Sequence, residues 1–234
     1  MPTDLEKQTR ESIDKNKVWF RSNDAYAKYV QNAHGKLRSE IESQLTNAGN
    51  LLDIGNGGVF NYDTSLAEAI TALDLSLDIF DGSFPPPHVT LLEGSALNIP
   101  IDGARFDSVV MVMLLHHLVG ATVAQSRENV RRCIAECRRV LKPGGTLVIG
   151  ESCVPQWFYR FEVAVFPVAL VVVDKLVRHP PALQYTAQDL KTLIEEEFSN
   201  CDVLPVPKGK YDLEFGLLVP TWITPVRQFV FRAT

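Results

Sequence analysis

Three groups of residues have types and spacings suited to chemistry. The first is Asp53, which stands two residues ahead of a glycine turn, Gly55-Asn56-Gly57-Gly58, after the short apolar run 50–54. Glycines there let backbone approach a ligand at the end of a strand, because a Cβ would hold it away. Ligand-free tight turns use glycine too, so the turn alone decides little. The dinucleotide spacing G-x-G-x-x-G is broken, since the sixth position counted from Gly55 is Phe60. A carboxylate at Asp53 suits a cation or an ammonium group better than a pyrophosphate. The second group is Asp74, in Ala72-Leu73-Asp74-Leu75-Ser76. An acid closing a strand there can accept from both hydroxyls of a ribose, or can simply be solvated. Asp53, the turn and Asp74 together describe a nucleoside site with positive charge beside it. The third group is His116-His117, after the apolar run 106–115. Either ring has the chemistry of a base, or the block is structural with one ring bonded to nearby backbone. Strand alternation does not say which ring points inward. Glu151 closes a later apolar run and reads as a helix-capping or salt-bridging acid at the same end.

These residues need elements to hold them. Residues 1–49 read as helices: Trp19, Phe20, Tyr26, Tyr29 and Val30 recur at roughly helical spacing, and 37–45 is a second amphipathic stretch. Strands are expected at 50–54, 71–75, 88–92, 106–115, 146–149, 202–206 and 226–231. The run 106–115 is apolar enough to be buried on both faces. Asp63 or Thr64 caps an expected helix through Ile70. Residues 122–141 form the best helix, with Val130, Ile134, Cys137 and Leu141 on one stripe and, over 122–142, six basic residues on what reads as a solvated face, ended by Pro143-Gly144-Gly145. Thr186 caps another helix, 186–198. The segment 211–222 is apolar and fits no element. Alternating helices and strands predict a mainly parallel sheet with helices on both faces, in one domain over 1–234.

Composition narrows the function classes. Lys and Arg number 23 against 28 Asp and Glu, a net charge of −5, which argues against nucleic acid as a partner. Cys133, Cys137, Cys153 and Cys201 match neither a disulfide framework nor a zinc site and read as reduced thiols in a cytoplasmic protein; Cys133 and Cys137 are apolar fillers, and no metal is expected. The N-terminus is polar and lacks a signal pattern. The apolar run 163–173, interrupted by Pro167, is too short to span a bilayer.

Four blocks, in order, carry a resemblance: LLDIGNGG (51–58), TALDLS (71–76), EGSALNIPIDGARFDSVVMVMLLHHL (93–118) and CRRVLKPGGTLVIGE (137–151). The chain resembles the class I S-adenosylmethionine-dependent methyltransferases, of the small-molecule type related to the ubiquinone and menaquinone methyltransferases. The resemblance covers about residues 51–151. It implies a Rossmann-like, doubly wound, seven-stranded sheet, with N-terminal cap helices (1–49), a cofactor-binding core (50–153), an apolar lid insertion (154–185) and a C-terminal part of the sheet (186–234). It implies S-adenosylmethionine as cofactor and S-adenosylhomocysteine as product. By position, Gly55, Asn56 and Gly57 pass under the methionine portion and Asp53 organises the turn and meets the amino group. Asp74 holds the ribose. Ser95 and Ala96 lie beside adenine, Leu75 or Leu97 packs on its face, and Met113 gives backbone contacts. Two positions depart from the family: Val59 replaces its third glycine, leaving a turn reshaped by Asn61-Tyr62-Asp63, and Ser95 stands where Asp is frequent.

Methyl transfer to an O, N or C atom is an in-line displacement, so the protein chiefly aligns the acceptor. His116 and His117 are the candidate catalytic bases. Trp157, Tyr159 and Glu162, with Tyr185 and His179, are candidates to touch the acceptor; each also fits ordinary packing or exposure. The bulky apolar insertion suits a small hydrophobic acceptor, and equally a homodimer interface or peripheral membrane contact. Two other classes fit less well: a non-catalytic S-adenosylmethionine-binding scaffold, which Val59 and Ser95 would allow, and a nicotinamide-dependent oxidoreductase, against which Phe60 and the RVLKPGG block speak.

Overall fold

The chain begins its sheet in the middle. In the computed structural model, which describes residues 35–77, 85–176, 182–209, 211–214 and 217–234, strand β1 (Asn50–Ile54) is flanked by β2 (Ala69–Asp74) and β4 (Phe106–Val112), both parallel to it. Of residues 167–176, 211–214, 217 and 218 only the backbone is described. The sheet order is β3-β2-β1-β4-β5-β9-β6, with β3 at Val89–Glu93, β5 at Leu141–Cys153, β6 at Cys201–Pro205 and β9 at Arg227–Ala233. The chain runs from β1 outward to β3, then returns to β4 on the other side of β1. The carboxyl ends of β1 and β4 therefore flank the point where strand order reverses, the crevice in which open α/β sheets bind ligands. Only β9 is antiparallel to its neighbours β5 and β6.

Burial follows the strand period of two. Leu51, Val110, Val148 and Val230 face one layer with Leu37 and Ile41 of helix α1 (Gly35–Gln44). Leu52, Val109, Ile149 and Phe231 face the other, against Val130, Cys133, Ile134 and Cys137 of α2 (Val123–Val140) and Leu190, Leu193 and Ile194 of α4 (Ala187–Glu195). The central strands are covered on both faces, which explains their unbroken apolar runs. Gly150 makes room for α1: a Cβ there would lie 2.8 Å from Ile41 Cδ1. Thr122 caps α2 by accepting from the Gln125 N–H, and Thr186 caps α4 by accepting from that of Asp189. Cys133 and Cys137 are fully buried among aliphatic neighbours, as small fillers.

Several expectations change. No helix runs through Ile70. Asp63 caps only a 3-10 turn, Thr64–Leu66, and β2 has begun by Ala69, because Ile70 and Thr71 pair with Leu51 and Leu52. Strand β5 starts at Leu141, opposite Phe106; the register shift before Ser108 absorbs the Pro143-Gly144 kink. The apolar segment 211–222 contains a hairpin, β7 (Tyr211–Glu214) with β8 (Leu217–Pro220). The basic side of α2 is not simply solvated. Arg131 bonds Glu196, Arg139 bonds Glu136 and the carbonyls of Ile99 and Ile101, and Arg138 lies over the Phe198 ring. The insertion is a long helix, α3 (Gln156–Leu176). No helix among the described residues is long and apolar enough to cross a membrane. The Trp19–Tyr29 helix and His179 lie outside the described residues.

Candidate cofactor and acceptor site

Strand β1 delivers Asp53 to the switch point. The side chain is buried, and its Oδ2 accepts from Tyr62 Oη at 3.0 Å and from Asn56 Nδ2 at 2.5 Å. Burial pushes the Asp53 carboxyl up to about 7, against the pull of those two hydrogen bonds. Asn56 Nδ2 also reaches the Val59 carbonyl at 3.2 Å, while Asn56 Oδ1 is buried without a partner among the described residues. The Tyr62 hydroxyl is pushed far up by burial and by Asp53 beside it.

The turn itself is held open. Gly55, Gly57 and Gly58 have φ of +68°, +64° and +79°, which L side chains resist. A Cβ on Gly55 would lie 2.6 Å from Leu114 Cδ1, so the turn rests on the residue that follows Met113. A Cβ on Gly57 would meet nothing within 4 Å, so its outer side is open. The Gly57 N–H donates to Asp74 Oδ2 at 3.0 Å, tying the turn to the end of β2. The Gly94 N–H donates to the Asp74 carbonyl at 2.9 Å and draws in the loop after β3. In that loop Ser95 Oγ accepts from the Leu97 N–H, Ala96 is buried, and Leu75 and Leu97 are half-buried. Val59 is exposed, and Tyr62 tucks under Asp53; the turn is thus reshaped around Tyr62.

Across the crevice, β4 is followed by Met113, a non-glycine residue with φ +54° whose N–H donates to the Gly150 carbonyl at 2.8 Å. The 3-10 turn Leu115–His117 follows. Glu151, 1% exposed, accepts from the Leu115 N–H at 2.9 Å and lies 2.7 Å from His116 Nδ1. The expected capping or salt-bridging acid thus closes the start of that 3-10 turn and meets the histidine, while β5 runs past it to Cys153. His116 is buried and His117 half-buried, their ring centroids 4.0 Å apart. Leu183 donates to the His116 carbonyl at 2.9 Å, bringing the segment after α3 under the turn.

Asp53, Gly55, Asn56, Gly57, Asp74, Leu75, Ser95, Ala96, Leu97 and Met113 thus gather at the carboxyl ends of β1 to β4. The three acceptor candidates are more dispersed. Trp157 stands 65% exposed, stacked edge-on against Phe158. Glu162 is half-buried on α3. Tyr159 Oη accepts from Arg127 at 3.3 Å, and its ring lies 6.4 Å from that of Tyr185, whose buried hydroxyl has no partner among the described residues. Sequence reasoning missed Tyr62 as a partner of Asp53 and Glu151 as the partner of His116. Neither belongs to a local motif; each is joined only by the fold.

The donor set fits the implied cofactor. A buried carboxyl and a partnerless amide oxygen side by side accept from a cation, and an open glycine leaves room for it. Residues 52–149 match the family described as a methyltransferase domain. A demethylmenaquinone methyltransferase from Paenarthrobacter aurescens (strain TC1) is 26% identical over 132 residues, 55% of this chain and 49% of the relative. The N-methyltransferase NodS from Bradyrhizobium japonicum WM9, solved with S-adenosyl-L-homocysteine, superposes with a TM-score of 0.58 at 15% identity, covering 99% of each chain. A chain from a complex of the Haloferax volcanii Trm112 methyltransferase activator with a methyltransferase superposes with a TM-score of 0.64 at 13% identity, covering 94% of this chain and 96% of that one. The chain spans about half the length of the curated relatives it matches. The four motif blocks in order and the switch-point glycine turn agree with these matches: residues 52–149 are similar to a methyltransferase domain, and the mainly parallel seven-stranded sheet is the fold of the solved methyltransferases on which the chain superposes.

Proposed function

We propose that the protein is an S-adenosylmethionine-dependent methyltransferase that moves a methyl group to a small, hydrophobic acceptor. The observation that carries this is the pairing of two acids across one glycine turn: Asp53 beneath it, beside the partnerless Asn56 Oδ1, and Asp74 bonded to Gly57 at its rim. On this reading Asp53 and Asn56 face the ammonium of the methionine portion and Gly55 and Gly57 let it pass. Asp74 holds the ribose while fixed by Gly57. Ser95 and Ala96 flank adenine, with Leu75 or Leu97 on its face, and Met113 offers backbone to the methionine end. When bound, the cofactor supplies an activated methyl group on a sulfonium, and the protein's task is alignment.

The hydrophobic acceptor is supported by α3, whose Trp157 and Phe161 are more than half exposed beside the end of β5. A reducing, cytoplasmic setting is supported by four free cysteines, all buried. Calorimetric titration with S-adenosylmethionine and S-adenosylhomocysteine, with NADH as control, tests the reading. Micromolar binding of the adenosyl ligands alone is the expected result. Binding of NADH instead, or of neither, overturns it.

A further inference from the structure

We propose that Glu136 and Arg139 of α2 are positioning residues for recognition of the cofactor's base: together they clamp the loop after β3 so that Ser95, Ala96 and Leu97 meet adenine in one fixed arrangement. This rests on the methyltransferase reading and deepens it. The two side chains stand three residues apart on α2 and form a two-pronged pair. Arg139 Nε donates to Glu136 Oε1 at 2.8 Å, and Nη2 donates to Oε2 at 2.7 Å. The pair then takes hold of three backbone groups of the loop. Glu136 Oε2 accepts from the Ile99 N–H at 2.8 Å, and Arg139 donates to the Ile99 carbonyl at 2.9 Å and the Ile101 carbonyl at 2.7 Å. Hydrogen bonds from the guanidinium hold the Glu136 carboxyl below its ordinary value, so both groups stay charged at neutral pH.

The loop is fixed at its other end too. The Gly94 N–H donates to the Asp74 carbonyl at 2.9 Å, and a Cβ on Gly94 would lie 2.6 Å from Pro100 Cδ, so the two limbs of the loop touch. Between them the Asn98 N–H donates to the Ser95 carbonyl at 3.1 Å, and the Leu97 N–H to Ser95 Oγ at 3.1 Å. Ile99 is buried in the core beside Leu73. The three proposed base-facing residues therefore sit on one short turn. One limb hangs from the strand that carries the proposed ribose acid, and the other hangs from α2. Among the described residues neither Glu136 nor Arg139 bonds Ser95, Ala96 or Leu97; they act on these through Ile99 and Ile101.

Such a clamp has a chemical use. Adenine carries an amino donor where hypoxanthine carries an oxo acceptor. A site tells the two apart only if its own donors and acceptors keep their places. A loop already ordered before binding also loses less conformational freedom when the ligand arrives. An ion pair on an exposed helix face that served α2 alone would contribute little and would need none of the loop contacts.

The test starts with amide hydrogen exchange of the unliganded protein. Arg139→Ala should speed exchange at Leu97, Asn98 and Ile99 by about tenfold or more, and unchanged exchange there overturns the clamp. Calorimetry then compares S-adenosylhomocysteine with S-inosylhomocysteine, the same ligand with the amino group replaced by oxo. Wild type should prefer the adenine ligand by about tenfold or more, the scale of one hydrogen bond gained or lost in a fixed site. Arg139→Ala should bring that ratio close to one, chiefly by weakening S-adenosylhomocysteine. Arg139→Lys keeps a cation for Glu136 and one carbonyl and should restore part of the ratio. Glu136→Gln serves as a second variant should Arg139→Ala fail to fold, and it should lower the ratio in the same direction. A pair that only fastened the loop for stability would lower the urea midpoint and leave the ratio intact. That result overturns the proposal, as does a wild type that binds both ligands equally. Failure of wild type to bind S-adenosylhomocysteine at all instead sinks the cofactor reading, and base recognition with it.

Discussion

Asp74 does two things at once. Its Oδ2 accepts from Gly57, and its Oδ1 from Ser76 at 3.4 Å, so the carboxylate that would hold a ribose also sets the shape of the turn above it. Asp74→Ala should therefore weaken S-adenosylhomocysteine binding markedly, by about 1.5–3 kcal/mol for each charged hydrogen bond lost. Calorimetry reads this directly, and unchanged affinity would refute the ribose assignment. The position of Asp74 was legible, because an acid ending the second strand is a local feature. The Gly57 bond was not, because the partners are joined only when β1 and β2 pair. Likewise His116 and His117 are equivalent in the sequence. Burial beside Glu151, 35 residues away, separates them.

At the scale of elements, the apolar side of α2 is built as its sequence reads, though its basic side is not. Its buried stripe packs on β5 and α4, and its start is fixed by Thr122 Oγ1 on the Gln125 N–H at 3.1 Å, with Gln125 Oε1 returned to the Ala121 N–H at 3.1 Å. Thr122→Ala should cost about 0.5–2 kcal/mol of stability, seen as a lower urea midpoint at constant slope. S-adenosylhomocysteine affinity should not change, since the cap lies on no residue of the proposed cofactor site. The stretch after the glycine turn shows the opposite lesson. Capping residues are present at Asp63 and Thr64, yet the helix stops after a single 3-10 turn. The parallel ladder with β1 claims Ile70 and Thr71, and tertiary pairing outweighs a local cap.

For the whole molecule, Asp53 couples ligand and stability to pH. Its folded value of about 7 lies above the ordinary 3.8, with burial as the largest cause. Between those values the folded protein holds a proton that the unfolded chain has released. This contribution is complete below about pH 4 and is lost as pH rises through 7. Asp53→Asn removes it. In denaturant melts of the unliganded protein, the variant should gain on wild type as pH rises from about 4 to 7, by on the order of a few kcal/mol. Binding of a cationic ligand should draw the proton off Asp53, so wild-type affinity for S-adenosylmethionine should rise over the same window and that of the variant should not. A constant gap between the two proteins would show that Asp53 is not the titrating group.

The sequence by itself determined the class of fold and the place of the glycine turn. Both rest on short-range patterns: apolar runs for strands covered on both faces, a 3.6-residue stripe for α2, and glycines and acids at strand ends. Tertiary structure alone decided which polar groups meet. Tyr62 reaches Asp53 across nine residues, Gly57 reaches Asp74 across 17, and Glu151 reaches His116 across 35. It also turned the apolar segment 211–222 into a hairpin and much of the basic side of α2 into ties to neighbouring elements. The physical reason is the same throughout. Local sequence sets the period and ends of an element, but a buried hydrogen bond needs two partners, and only the packed sheet brings distant partners within 3 Å of each other.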